Sequence, residues 1–163
     1  MRVEELMAEE SATQALVTTV ADLARHVGRK LGPTAWRSIT QEQVNQFADL
    51  TDDHNFIHVD PVRARTTFFG GTIAHGFLTL SFLGPISQEL IVVRDAATAI
   101  NYGLNKLRFP SPLRVGSKFR GVGEILDVAA ITGGAQVTAA FTIEIQDAPK
   151  PALVAESLLR YYA

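Results

Sequence analysis

The sequence predicts an α+β domain in which an antiparallel sheet wraps around one strongly apolar helix. Helical patterns occupy the first half of the chain, and strand-like segments occupy the second half. Between them, residues 75–90 are apolar on nearly every side, which is typical of a buried helix. A sheet that covers this helix buries the apolar surface of both, so we expect the two to share one core.

Composition limits the class of protein. The 163 residues fit one domain, and the formal net charge of -2 gives no electrostatic basis for binding nucleic acid or an anionic membrane. The absence of cysteine excludes disulfides and thiol catalysis. Residues 1–10 are acidic and lack the apolar core of a signal peptide, and no apolar run is long enough to span a membrane. We therefore expect a cytoplasmic protein with neither nucleic acid nor membrane as a partner.

The first segment, residues 1–34, is predicted to be a helical extension of a domain formed by residues 35–163. Apolar residues recur in it at the spacing of an amphipathic helix, and Gly32-Pro33 should end that helix. The apolar positions are Val20, Leu23, Ala24, Val27 and Leu31.

A second helix is indicated by its cap. After an extended piece near residues 36–39, Thr40 and Gln43 have the spacing of a capping box, in which each residue satisfies a backbone N–H of the other. The helix should begin directly after Thr40 and end near Thr51.

Two further helices follow. Asp60-Pro61 combines an N-cap residue with proline at the first helical position, which predicts a short helix to about Thr66. The apolar helix then runs from residue 75 to about residue 90, and Pro85 should kink it or end its regular part.

The second half of the chain contains four segments rich in β-branched and aromatic residues. Gly133-Gly134 suits a hairpin between the second and third segments. We expect an antiparallel meander of four strands at residues 98–109, 117–130, 135–146 and 152–162.

The densest cluster of ionisable groups lies between two predicted helices, at residues 52–60. On one continuous helix Asp53 and His58 would point about 140° apart, so they converge only if the chain turns between them. Asn55 suits such a turn. A carboxylate and an imidazole that converge can hold a water molecule, remove its proton and orient it.

Two other interpretations of this cluster remain open. The acidic residues and Asn55 can simply cap neighbouring helices, with His58 as a half-buried packing residue. A metal site is the third alternative, because His54 and His58 are four residues apart and Asp60 is near. The general-base glutamate of an H-E-x-x-H site is absent, since Asn55 follows His54, which makes a metal the weaker alternative.

A second candidate group is the backbone of Gly76, at the start of the predicted apolar helix. A glycine there lets another group approach the backbone closely. The free N–H groups of a first helical turn carry partial positive charge and can stabilise an oxyanion. The simpler alternative is that Gly76 only permits tight packing and that His75 is a helix-end residue.

Other functional motifs are missing or weak. The chain has neither a G-x-S-x-G elbow nor a phosphate-binding P-loop, and Gly121-Val-Gly123 lacks the third glycine of a dinucleotide fingerprint. A basic run near Pro110 suits a solvated strand face, and it can also receive the phosphates of a carrier. Its members are Lys106, Arg108, Arg114, Lys118 and Arg120.

Several short motifs together resemble a known family. Residues 47–60 contain F-A-x-x-T-x-D-x-N-x-x-H-x-D, and residues 69–76 contain F-G-x-x-I-A-H-G. In this order they resemble the hydratase motif of the MaoC-like, (R)-specific enoyl-CoA hydratases. Residues 101–110, NYGLNKLRFP, are similar to the NodN-like branch. The resemblance covers residues 35–163 and implies the hot-dog fold, a long helix wrapped by an antiparallel sheet.

The resemblance also implies roles for individual residues. The catalytic Asp and His of the family correspond to Asp53 and His58. The motif Asn corresponds to Asn55, and the oxyanion-hole N–H to Gly76.

Three positions depart from the family pattern. Asp52 stands where glycine is common and Phe56 where proline is common, and neither change affects the catalytic pair. Gly84 stands where some members have a serine on the central helix. If that serine helps to hold the water, another group must do so in this chain.

The function implied by the resemblance is reversible, (R)-specific hydration of a trans-2-enoyl-CoA to the (R)-3-hydroxyacyl-CoA. It implies an acyl-CoA substrate, no metal, no separate cofactor, and a homodimer. Two alternatives remain: another acyl-thioester enzyme of the same fold, such as a 3-hydroxyacyl-carrier dehydratase or a thioesterase, and a non-catalytic acyl-binding subunit. Five phenylalanines either line an acyl tunnel or belong to the core, namely Phe56, Phe68, Phe69, Phe77 and Phe82.

Overall fold

A computed structural model of the chain describes residues 15–163. Within this range the α-helices are α1 (Gln41–Thr51), α2 (Phe56–Val59), α3 (Pro61–Ala64), α4 (Gly76–Ser81) and α5 (Leu83–Leu90). The strands are β1 (Leu16–Thr18), β2 (Lys30–Leu31), β3 (Arg37–Ser38), β4 (Ile91–Val93), β5 (Thr98–Arg108), β6 (Lys118–Ile131), β7 (Gly134–Ile145) and β8 (Leu153–Tyr162). None of the helices in residues 15–163 has the length and apolarity needed to cross a membrane.

One antiparallel sheet dominates the fold. Its strand order is β2-β6-β7-β8-β5, and β3 also pairs with β6. The predicted meander is correct for β6, β7 and β8, but it is wrong for β5, which pairs with β8. The reason lies in residues 109–117, which do not form a hairpin. They bond instead to the segment before α4, through Ala74 N–H to the Leu113 carbonyl (2.8 Å) and Val115 N–H to the Thr72 carbonyl (3.0 Å).

The four long strands and the β6–β7 hairpin are confirmed. The last cross-strand pair joins Ile131 to Gly134, which leaves a two-residue loop. Gly133 in that loop has a φ of 74°, a left-handed conformation that glycine adopts without steric cost.

The predicted helix within residues 15–31 is wrong. This region contains β1, a single 3-10 turn at Leu23–His26, and β2, which pairs with β6. Gly28, with a φ of 83°, stops the turn, and its N–H donates to the Ile125 carbonyl of β6 at 2.7 Å. Pairing with the sheet therefore overrides the helical spacing. Residues 1–14 lie outside the described range, and the division at residue 34 stays a prediction.

The helix caps form as the sequence predicts. The Thr40 hydroxyl accepts from the Gln43 N–H, and the Gln43 side chain accepts from the Thr40 N–H at 2.9 Å. The Asp60 carboxylate accepts from two N–H groups in the first turn of α3, with Pro61 at the first helical position. The short helix ends at Ala64, two residues earlier than expected.

The central helix is interrupted at Phe82, between α4 and α5. Pro85 accounts for the interruption, because it has no N–H for the Ser81 carbonyl four residues earlier and its ring crowds that carbonyl. The helix is also less enclosed than predicted. Leu83, Ile86 and Leu90 of α5 are buried, whereas Phe77 of α4 is 72% exposed.

The sheet and the central helix share the core. A Cβ atom on Gly121 of β6 would lie 2.4 Å from Ile86 Cγ2, so only glycine lets β6 and α5 come this close. Within the sheet, the ring of Phe141 on β7 packs over Gly123 on β6. The close contact between β6 and α5 confirms the predicted α+β architecture.

Candidate active site

The loop after α1 begins with a left-handed residue. Asp52 has a φ of 57° and caps the helix through its N–H to the Ala48 carbonyl. The Asp53 N–H donates to the same carbonyl at 3.2 Å. The chain therefore turns out of the helix here, and the Asp53 side chain is exposed.

Asn55 starts the next helix. Its side-chain oxygen accepts from the Ile57 N–H at 3.3 Å, which makes it the N-cap of α2. The capping role considered for Asn55 is thus confirmed. It also has a consequence for the site, since α2 is the element that carries His58.

His58 is buried, and one of its ring nitrogens is already committed. Nδ1 lies 2.8 Å from the Ile73 carbonyl oxygen. Because a carbonyl only accepts, Nδ1 carries the proton and Nε2 keeps a lone pair. Gln41 of α1 fixes the same residue from the other side, through its amide donating to the His58 carbonyl at 2.7 Å.

Burial is the main reason why the pKa of His58 is lowered from its ordinary value. The bond to Ile73 and the charge of Asp53 oppose this effect, and the neighbouring His75 adds to it. A lowered pKa leaves the imidazole neutral at pH 7, so His58 Nε2 can accept a proton.

His75 completes the cluster, a part that the sequence analysis missed. Its side chain is 2% exposed, and its Nε2–H donates to the backbone carbonyl of Asp53 at 2.9 Å. Its ring stacks on His58 with centroids 3.8 Å apart, and it also contacts Phe47. The only sequence signal was its place directly before Gly76, at the end of the second motif.

The predicted convergence of Asp53 and His58 is confirmed. Asp53, His58 and His75 each offer a ligand-type atom, and these atoms all lie within 4.8 Å of one another. The exposed carboxylate of Asp53 therefore lies close to the buried imidazole of His58.

The metal alternative suggested by spacing does not form. His54 Nε2 lies 2.8 Å from Asp49 Oδ1, and Asp60 Oδ1 accepts from the Arg63 N–H at the start of α3. His54 and Asp60 are thus used in local structure. Within residues 15–163, the cluster with metal-ligand spacing consists of Asp53, His58 and His75.

Gly76 is the first residue of α4, and it is exposed. The side chain of the preceding His75 makes no capping bond, and the first N–H groups of a helix have no intrahelical acceptor. A Cβ atom at Gly76 would lie 3.3 Å from the Phe109 ring. Glycine therefore lets the Phe109 ring pack closely against the start of α4, next to the histidine cluster.

A cavity of about 270 Å³ opens further along the central helix. It lies between the helix and strands β5 and β8, and its wall includes Leu80, Gly84, Leu104 and Ser157. The Ser157 hydroxyl is buried and has no hydrogen-bond partner in the described part of the chain. The wall of the cavity is mostly apolar, and Leu80 lies one helical turn beyond Gly76.

The five phenylalanines do not form the wall of that cavity. Phe82 packs on Phe119 with ring centroids 4.7 Å apart, in agreement with the core alternative. Phe68 and Phe77 are 88% and 72% exposed, so these two residues belong neither to the core nor to the wall of the cavity.

The basic run is partly neutralised by neighbouring strands. Arg120 pairs with Glu144 at 2.7 Å, and Lys106 with Glu156 at 3.3 Å. Lys106 and Arg108 are exposed on β5, as expected for a solvated strand face. Arg108 directly precedes Phe109, whose ring borders Gly76.

The lowered pKa of His58 predicts how stability changes with pH. Between the ordinary histidine pKa of about 6.5 and the lower folded value, the unfolded chain binds a proton at residue 58 that the folded protein does not. The free energy of unfolding should therefore fall as the pH is lowered through this window, and His58→Gln should remove that part of the slope. Urea unfolding from about pH 7.5 to about pH 5 measures it.

His54 must be controlled in that experiment. The hydrogen bond to Asp49 raises the pKa of His54. The contribution of His54 to the free energy of unfolding is therefore present at low pH and is lost as the pH rises. A His54→Gln background removes this opposing effect. An identical slope for His54→Gln with and without His58→Gln would contradict the prediction.

The fold and the paired side chains together define a domain of the hot-dog class with a site suited to acid–base chemistry. The chain belongs to the MaoC like domain family, which it matches over residues 22–146. The family and the fold expected from the motifs are therefore confirmed.

Individual relatives agree. The chain is 49% identical to 3-hydroxyacyl-thioester dehydratase Z of Mycobacterium tuberculosis over 146 residues, which cover 89% of this chain and 97% of the relative. It is 42% identical to Nodulation protein N of Rhizobium meliloti, over 84% of this chain and 87% of that protein. Among solved structures, the unliganded R-hydratase PhaJ1 from Pseudomonas aeruginosa superposes with a TM-score of 0.71 at 26% identity, covering 88% of this chain and 85% of that one.

Proposed function

We propose that this protein catalyses the reversible, (R)-specific hydration of trans-2-enoyl-CoA to (R)-3-hydroxyacyl-CoA, with a water molecule activated by Asp53 and His58. The observation that carries the proposal is the proximity of the Asp53 carboxylate to the ring of His58, whose Nδ1–H is already bound to the Ile73 carbonyl. His75 belongs to the same cluster and directly precedes Gly76, the first residue of α4. The similarity to a 3-hydroxyacyl-thioester dehydratase supports the same chemistry.

The committed hydrogen bond of His58 assigns the base in this proposal. Water is bound between the Asp53 carboxylate and His58 Nε2, and its oxygen attacks C3 of the enoyl group. One water proton moves to Nε2, and the electron pair of the double bond moves onto the thioester oxygen. The proton held by His58 then passes to C2, so one water is added and no cofactor is consumed.

The negative charge on the thioester oxygen requires a donor. The N–H of Gly76 is suited to this, because it lies at a helix N-terminus and has no intrahelical acceptor. Asn55 supports the reaction by holding α2, and with it His58, in place. The acyl chain extends from Gly76 along the central helix into the cavity lined by Leu80 and Gly84.

The phosphates of coenzyme A are expected at the mouth of the site, where Arg108 adjoins Phe109. No metal is required, because water is the nucleophile and the thioester already polarises the double bond. We therefore expect full activity after treatment with a chelator.

The test is an assay of the wild-type protein with enoyl-CoA substrates of four to sixteen carbons. The loss of the conjugated-thioester absorbance measures hydration, and the chirality of the product is then determined. Hydration with (R) product is expected. Hydrolysis of acyl-CoA without hydration would assign a thioesterase instead, and activity only on 3-hydroxyacyl-carrier substrates would assign a carrier dehydratase. Tight binding without turnover would assign an acyl-binding subunit.

The homodimer is a further part of the proposal. Strand β5 is the edge of the sheet, and it exposes three large apolar side chains, Ile100, Tyr102 and Leu104. Exposed edges of this kind invite pairing with another strand. A second copy that pairs along β5 continues the sheet and covers these side chains.

Charge on β5 should therefore dissociate the dimer. We expect sedimentation of the wild-type protein at twice the monomer mass, and of the Ile100→Lys, Tyr102→Lys double variant at the monomer mass. Leu126→Lys on β6, at a similarly exposed position (40%), serves as the control and should stay dimeric. A wild-type monomer at micromolar concentration would contradict this part of the proposal.

A further inference from the structure

Two segments of the site are joined by reciprocal hydrogen bonds, in which a histidine of each segment donates to the backbone of the other. His58, from the segment after α1, donates its Nδ1–H to the Ile73 carbonyl of the segment before α4. His75, from the second segment, donates its Nε2–H to the Asp53 carbonyl of the first. A backbone bond from Ile73 N–H to the Ile57 carbonyl (3.0 Å) lies between them.

We propose that His75 is a positioning residue for hydration, which fixes the Asp53 carboxylate and the His58 ring relative to the Gly76 N–H. The inference rests on the proposed function. It goes beyond that function by assigning a role to a buried side chain that does not itself touch the reacting atoms.

The bond to Asp53 is the first argument. Asp53 lies in an exposed loop, and among residues 15–163 its carboxylate accepts only a long bond from the Asn55 N–H, at 3.4 Å, within the same loop. His75 provides the bond that ties Asp53 to the segment carrying Gly76. Without it, the loop and the start of α4 can move apart, and a displacement of about 1 Å costs on the order of 10²-fold in rate.

The stacked rings are the second argument. The His58 and His75 ring planes are inclined by only 26°, so the His75 ring packs face to face against the ring of His58, the proposed base. His75 is itself held by Phe47 of α1, with centroids 5.0 Å apart. Stacking on a ring that is itself held in place limits rotation of the His58 imidazole, and proton transfer requires a base that is fixed in position.

Electrostatics gives the third argument. The titratable groups that act on His58 are Asp53, whose charge raises the pKa of His58, and His75, which lowers it. Proximity of a second imidazole thus helps His58 to stay unprotonated. A residue that only filled space would leave the titration of His58 unchanged.

Two variants separate these contributions. His75→Phe keeps an aromatic ring on His58 but removes the donor to Asp53, whereas the amide nitrogen of His75→Gln can replace Nε2 as that donor. We expect His75→Phe to lower kcat by about 10- to 100-fold with KM nearly unchanged, and His75→Gln to recover most of the lost kcat. Thermal unfolding of each variant confirms that the measured protein is folded, and kinetics are measured on that protein.

A second measurement does not depend on catalysis. The NMR titration of the His58 ring should shift to higher pH in both variants, and the acid limb of the kcat profile should shift with it. Wild-type kcat in His75→Phe together with an unchanged His58 titration would overturn the proposal. Should the wild-type protein hydrate no enoyl-CoA, the proposed function fails, and the positioning role for hydration fails with it. If the wild-type protein does hydrate enoyl-CoA, the combination of wild-type kcat and unchanged His58 titration in His75→Phe rejects the role of His75 alone.

Discussion

Replacement of Asp53 by Asn, or of His58 by Gln or Asn, is expected to lower the turnover of enoyl-CoA hydration by about 10²- to 10⁴-fold, the usual loss when a general base is removed. The reason is that each change removes one of the two groups proposed to hold the attacking water. Hydration of crotonyl-CoA, followed at saturating substrate, gives kcat directly.

The two His58 variants differ in a useful way. The side-chain nitrogen of Asn lies close to the position of Nδ1, so His58→Asn can keep the bond to the Ile73 carbonyl while it removes Nε2. Loss of activity with a retained melting temperature in His58→Asn therefore isolates the chemical role from the structural one. Asp53→Asn should also fold normally, because the Asp53 side chain is exposed.

His54→Gln is the matched control. His54 belongs to the same loop, but its side chain is 48% exposed and binds Asp49. Its replacement should leave kcat unchanged. Near-normal hydration by Asp53→Asn or His58→Asn would reject the assignment of the catalytic pair.

The largest effect on stability is expected for Phe141→Ala, which should lower the free energy of unfolding by about 3–5 kcal/mol. Phe141 is 1% exposed, and a Cβ atom on Gly123 of the neighbouring strand would lie 2.9 Å from its ring. The ring thus fills the space that glycine leaves, and its removal creates a cavity between the sheet and the helix. A domain has only about 5–15 kcal/mol in total, so this loss is a large fraction.

Urea unfolding with an unchanged m-value measures the effect. Phe141→Leu should lose less, because it keeps part of the apolar volume. Phe68→Ala is the control, since Phe68 is 88% exposed, and it should change stability by no more than about 0.5 kcal/mol. A loss below about 1 kcal/mol in Phe141→Ala would show that the strands close over the cavity.

The elements that could be predicted from sequence are those with strong local signals. The capping box at Thr40 and Gln43 and the proline after Asp60 both start helices as expected, because the cap bonds involve neighbours in the chain. The alternation in residues 136–145 likewise defines β7. These signals depend only on residues close in sequence.

Non-local pairing decided the elements that were wrongly predicted. The spacing of Leu23 and Leu31 suits a helix, but the bond from Gly28 to β6 draws this segment onto the sheet. The place of β5 beside β8 depends on where residues 109–117 bond, and no local pattern encodes it. Both errors arise because strand pairing joins residues that are distant in the chain.

The site could be predicted in part for the same reason. Asp53 and His58 belong to one dense motif, and their convergence needed only a turn at Asn55. His75 lies 22 residues from its partner Asp53, and its role depends on a contact between two loops. The sequence contained the residue, but the bond that gives it a role exists only in the folded chain.

The interruption of the central helix at Phe82 separates α5, which is packed in the core, from α4, which is partly exposed. Leu83, Ile86 and Leu90 anchor the domain, whereas the exposed residues Phe77 and Ser81 lie on the other side of the break. Substitutions at these two exposed positions leave the buried contacts of α5 untouched. Ser81 also borders the cavity along the central helix, so the wall of that cavity can change at this position without a matching loss of foldability.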